Sequence, residues 1–128
     1  MSNGNDERSY LQWLYFYDVA YDLENALRGS EEFTRLKNLY DEVNADESAK
    51  RMFENFRDVQ LRLQQKQMAG EEITQEEVTQ AQKTVALVQQ HEKISQLMEA
   101  EQRMSMLIGE LNKIIMKPLE ELYGSVEG

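Results

Sequence analysis

The sequence predicts an all-α fold: a long antiparallel helical hairpin with shorter N-terminal helices, forming an oligomeric helical bundle. Three observations carry this reading. Six Gly and one Pro in 128 residues are too few for a β fold, which needs a turn every eight to twelve residues. Gln, Glu, Leu, Met and Lys are abundant, and their side chains lose little freedom in a helix. Apolar residues recur at three and four positions over most of the chain, the period of a helix with one buried face.

MSNGNDERS (1–9) is polar and reads as a flexible leader, ahead of a single domain over 10–124. Ser9 and Gln12 have the spacing of a capping box, so the first helix is placed over 10–28. Val19, Leu23, Ala26 and Leu27 form its stripe, and Gly29 stops it. Ser30 is an N-cap for a second helix, with Glu31 and Glu32 where the helix dipole favours anions. Phe33, Leu36, Leu39, Tyr40 and Val43 make its apolar face.

Asp46 caps a third, long helix over 47–69, with Ala49, Met52, Phe53, Phe56, Val59 and Leu63 on one stripe. Glu47 with Arg51 and Asp58 with Arg62 are acid-before-base pairs on its solvated face. Leu61 and Met68 lie off the stripe, seven apart, and suit contact with the first helix or with another subunit. The pattern resumes at Thr74 and runs towards Lys117, with its phase slipping near residues 89–92, where a kink or break is expected. Pro118 is expected to close this helix, leaving a short final turn up to Gly124. The shorter helices can cover only part of so long a hairpin. The uncovered apolar surface predicts a homo-oligomer, most simply a dimer.

The formal charge is −10, from 14 basic and 24 acidic residues. Lys50-Arg51 is the only adjacent basic pair, and such a surface disfavours direct nucleic-acid binding. With no cysteine, the chain offers no disulfide, thiolate nucleophile or iron–sulfur ligand. No apolar run approaches a membrane span, and LQWLYFY (11–17) lacks the flanks of a secretory signal. A cytoplasmic protein without cofactor is expected.

QMAGEEITQEE (67–77) holds the densest acids. A helical di-metal site wants two Glu-x-x-His units, whereas His91 is the only histidine and Val88 stands three before it. Thr74-Gln75-Glu76-Glu77 instead has the form of a capping box, which makes the cluster a hairpin tip. His91-Glu92 starts a zinc-protease motif, but Ser95 occupies the second histidine's place. Neither a Gly-x-Ser-x-Gly turn nor a Gly-rich phosphate loop is present. No catalytic, metal or cofactor residue is therefore assigned.

What remains are surfaces. Trp13, Tyr15, Phe16, Tyr17 and Tyr21 concentrate aromatics on the first helix, with Tyr17 and Tyr21 on one face. They suit either packing over the hairpin or recognition of a partner. Met98, Met104, Met106 and Met116 give the last helix adaptable side chains, fit for a core or a partner groove. Tyr17, Tyr21, Leu61, Met68, Met98 and Met104 are the candidate interaction residues.

YDVAYDLENAL (17–27), EEFTRLKNLYDEVNAD (31–46), LQQKQMAGEEIT (63–74) and LIGELNKIIMKPLEELYG (107–124) resemble the bacterial YlbF/YmcA family, most closely its YheA branch. The resemblance runs from Phe16 to Tyr123, and the segment through Tyr15 lies ahead of it. It implies an all-helical hairpin fold that assembles as dimers or larger oligomers. It also implies a link to the family's role in Bacillus, where members act with YaaT in a complex affecting RNase Y-dependent mRNA processing, competence, sporulation and biofilm formation. That complex has been associated with cysteine-bound iron–sulfur clusters, for which this chain has no ligand. The resulting expectation is a non-enzymatic adaptor or regulator acting through protein partners. A direct RNA-binding accessory factor and a carboxylate metal enzyme are the alternatives.

Overall fold

A computed structural model describes residues 3–124 as five helices: α1 (Asn3–Arg28), α2 (Glu31–Ala45), α3 (Glu47–Met68), α4 (Gln75–Gln90) and α5 (Glu92–Tyr123). No strand occurs among the described residues. The contacts divide the chain into two compact units, one ending at Thr34 and the other starting at Arg35.

In the first unit, α1 begins at Asn3, not at Tyr10. The expected leader is helical from Asn3 onwards, Met1 and Ser2 lie outside the described residues, and Ser9 is a helix-interior residue, not a cap. Extending an existing helix needs no new nucleus, and Asp6 in the first turn complements the dipole. At the other end, one hydroxyl serves two helices. Ser30 Oγ donates to the Leu27 carbonyl at 2.7 Å and accepts from the Phe33 N–H at 3.1 Å. It thus closes α1 and opens α2.

In the second unit, Asp46 caps α3, its carboxylate accepting from the N–H groups of Ser48 (3.0 Å) and Ala49 (3.2 Å). The α3 stripe is buried as its spacing requires: Ala49, Phe53, Phe56 and Val59 are all inside. The Glu47–Arg51 and Asp58–Arg62 pairs are not among the ion pairs of the described residues. Arg57 reaches across to Glu101 on α5 and lies 4.5 Å from the centre of the Phe53 ring.

The α3–α4 tip is built almost wholly from local hydrogen bonds. Glu71 N–H donates to the Lys66 carbonyl (2.9 Å) and Gly70 N–H to that of Gln67 (3.2 Å), with Gly70 at φ +71°. These are the paired bonds of a Schellman cap. Four residues later Thr74 Oγ1 accepts from Glu77 N–H (3.1 Å), and Glu77 Oε1 accepts from Thr74 N–H (3.0 Å). The other carboxylate oxygen of Glu77 meets Lys66 Nζ at 2.6 Å, tying the last turn of α3 to the first of α4. The Lys66 ammonium, followed by the Thr74 N–H, lowers the Glu77 pKa from 4.5 to about 2.

The break expected at residues 89–92 falls on one residue. His91 is extended (φ −87°, ψ 113°). Its N–H donates to the Val88 carbonyl (3.2 Å), and its Nδ1 accepts from Ile94 N–H (3.4 Å). The core lies here, at the end of the hairpin away from the tip. Leu39 and Val43 of α2, Ala49, Phe53 and Phe56 of α3, Val88 of α4, and Ile94, Leu97 and Ala100 of α5 form one cluster.

Pro118 does not close α5, which continues to Tyr123 and ends at Gly124 (φ +79°). A proline withdraws one N–H and crowds the carbonyl four residues back, a local cost of about 3 kcal/mol. Ile114 and Ile115 on that turn are more than 60% exposed, so water can reach the carbonyl left without a donor.

Three outcomes are expected from this architecture. Leu97→Ala, at a position with no exposure, should lower the urea-unfolding free energy by about 2–5 kcal/mol. Gly70→Ala, where an added Cβ meets nothing within 4 Å, should cost only the backbone term of about 1 kcal/mol, with Gly70→Asn nearer to the parent. Folding lowers the Glu77 pKa, so its carboxylate stabilises fully above pH 4.5 and the contribution disappears as the pH falls to about 2. Glu77→Gln should therefore be less stable than the parent at pH 7, and the two Tm values should converge below about pH 2.

Candidate interaction surfaces

Glu77 and His91 both serve as helix caps. Glu77 is the capping and tip-locking residue, and Glu71 and Glu72 are exposed in the turn. His91 ends α4 and caps α5. Among the described residues, no three His, Cys, Asp or Glu side chains converge as a metal site would need. A groove of about 350 Å³ runs between α3 and α4, lined by Leu63, Ile73, Val78, Ala81 and Val85 with Gln82 and Gln89. Ile73 and Val78 occupy the positions of a hydrophobic staple before and after the Thr74 cap. No titratable side chain lines the groove, so it offers shape and apolar contact, with no proton chemistry.

The six residues selected from the sequence fall into three situations. Tyr17 and Tyr21 stand on α1, more than half exposed, and share a face with Trp13. Trp13 meets Phe16 edge-on at 6.1 Å and Tyr17 at 6.4 Å, giving a cluster of rigid aromatic side chains suited to recognition. On α3, Leu61 and Met68 are both exposed, Met68 at 83%. On α5 the two methionines differ. Met98 packs against the core cluster, which makes it a core side chain, while Met104 is half-buried. Tyr17, Tyr21, Leu61 and Met68 are thus exposed, whereas Met98 is half-buried against the core cluster.

The larger apolar surface lies on α5 beyond the core. Ile108, Ile114, Ile115, Leu119 and Leu122 are between 43% and 72% exposed. They continue the core stripe of the same helix with the same spacing. The sequence carried the signal, because apolar residues recur at four and three straight through Pro118. Treating that proline as a stop hid it. Among the described residues, no helix is long and apolar enough to cross a membrane.

Comparison with known proteins agrees with this architecture. The family described as "Control of competence regulator ComK, YlbF/YmcA" matches residues 16–120. A UPF0342 protein of Bacillus velezensis is 85% identical over 112 residues, covering 88% of this chain and 97% of the relative. Another from Bacillus pumilus is 84% identical, covering 87% and 94%. Among solved structures, yheA from Bacillus subtilis is 84% identical with a TM-score of 0.68, covering 84% of this chain and 98% of that one. A DUF964 protein from Bacillus stearothermophilus is 53% identical with a TM-score of 0.76, covering 86% and 96%. A family match across most of the helical chain, together with relatives of this identity over nearly their full length, means that the chain belongs to the YlbF/YmcA family.

Proposed function

We propose that this chain is a non-enzymatic, homo-oligomeric adaptor that regulates RNA processing or developmental decisions through protein partners. The observation that carries the reading is the distribution of apolar side chains. Two helices, α1 and α5, present rows of large apolar residues to solvent, a surface that a monomer does not need and an assembly uses. Of the groups the sequence singled out, Glu77 caps α4 and pairs with Lys66, and His91 caps α5. The family description names control of a competence regulator and no reaction, which supports regulation over catalysis. A net charge of −10 weighs against binding RNA directly, because each phosphate contact would need a cation the surface supplies only singly.

Affinity capture of the full chain from its host across growth phases, read by mass spectrometry, tests this. The chain itself and a small reproducible set of proteins should be recovered. Tyr17→Ala/Tyr21→Ala should deplete members of that set with the helical circular dichroism unchanged. Recovery of the chain alone in every phase would sink the adaptor role. A gel-shift with single-stranded RNA at low salt should show no complex.

A further inference from the structure

We propose that the tyrosine face of α1 seats a basic, arginine-bearing helical segment of a protein partner; this rests on the adaptor reading above and names the partner's chemistry. Tyr10, Leu14, Tyr17 and Tyr21 recur at four, three and four residues, so they form one stripe along the helix. Trp13 adjoins the stripe, its ring 6.4 Å from that of Tyr17. These five side chains are between 42% and 66% exposed. Rings that carry hydroxyls suit an interface with an apolar centre and a polar edge.

Charge names the occupant. At 3.6 residues per turn, Asp6, Glu7 and Asp18 stand within about 70° of the midline of the stripe, and all three are exposed. Asp18 is a helical neighbour of both Leu14 and Tyr21, and Asp6 and Glu7 are neighbours of Tyr10. None of the three takes part in an ion pair among the described residues. Glu24 lies on the stripe itself, answered by Arg28 at 2.7 Å. The other cation of α1, Arg8, stands about 150° from the midline. The unanswered charge beside the aromatics is therefore all negative. It attracts a cationic surface and repels a second copy of the same face. Arginine answers both features, since its guanidinium stacks on an aromatic ring and forks onto a carboxylate. The chain uses that combination internally: Arg57 lies 4.5 Å from the centre of the Phe53 ring and pairs with Glu101.

Trp13 is the only tryptophan of the chain, so its emission reads this face directly. The probe is a tryptophan-free helical peptide of about 15–20 residues built from Leu, Ala and Arg, set against the same peptide with Glu in place of Arg. The arginine peptide should shift Trp13 emission to shorter wavelength and saturate, and the glutamate peptide should leave it unmoved. Glu7→Gln with Asp18→Asn should weaken binding about tenfold. Glu120→Gln with Glu121→Gln makes the same charge change on another helix and should alter it by less than about twofold. Equal binding of both peptides, or an equal loss from the Glu120 and Glu121 pair, reduces the effect to apolar adhesion or net charge and overturns the proposal. Trp13 already shielded from acrylamide in the parent alone would mean that another copy fills the face, which overturns it too. The adaptor reading fails by a different result, the recovery of no partner in the capture experiment.

Discussion

The second unit depends on a break between helices at a single residue. Ile94 and Leu97 are fully buried in the first turns of α5, which starts again at Glu92 after the extended backbone of His91. With the break in place they close over Phe53, Phe56 and Val88, with Leu39 and Val43 of α2 completing the cluster. The imidazole contributes by accepting the Ile94 N–H, so the residue that interrupts one helix also starts the next.

The two ends of the hairpin are held by different physics. At the open end, apolar burial dominates, with Arg57–Glu101 as a rim pair linking α3 to α5. At the tip there is little to bury. Order comes from a positive-φ glycine, a Schellman cap, a capping box and one ion pair, each local in sequence. The acid-rich stretch around Gly70, which first suggests metal or proton chemistry, is in this light a device for turning the chain. A carboxylate held by Lys66 and by the Thr74 backbone is a poor proton donor or acceptor near neutrality, because those partners stabilise its charged form.

The core ends at Ala100, yet α5 runs 23 residues further, from Glu101 to Tyr123, about 35 Å at 1.5 Å per residue. That extension keeps the apolar period of the buried part. An isolated helix arm gains nothing from such a pattern, since exposed Ile and Leu cost solubility and α5 contains a proline. The same logic applies to the α1 aromatics, whose rigid side chains lose little entropy on binding.

How much was legible in the residues follows from the range of the forces involved. The fold class, the α2 and α3 stripes, the caps at Ser30, Asp46 and Thr74 and the break near His91 are local, and periodicity with capping chemistry gives all of them. The same local rules misplaced the start of α1 and the end of α5. Ser9 has a capping partner at the right spacing, but helix propagation overrides it. Pro118 removes one hydrogen bond where solvent can replace it. The Arg57–Glu101 pair could not be foreseen, because its members stand 44 positions apart and only the fold closes that distance. The sequence by itself determined that the chain is helical and that Ser30, Asp46 and Thr74 cap its helices. Only the tertiary structure decided that Met98 is core while Ile114, Ile115 and Leu122 of the same stripe are exposed. Periodicity says that a face will be buried; the lengths and directions of neighbouring helices decide how far along it the burial extends.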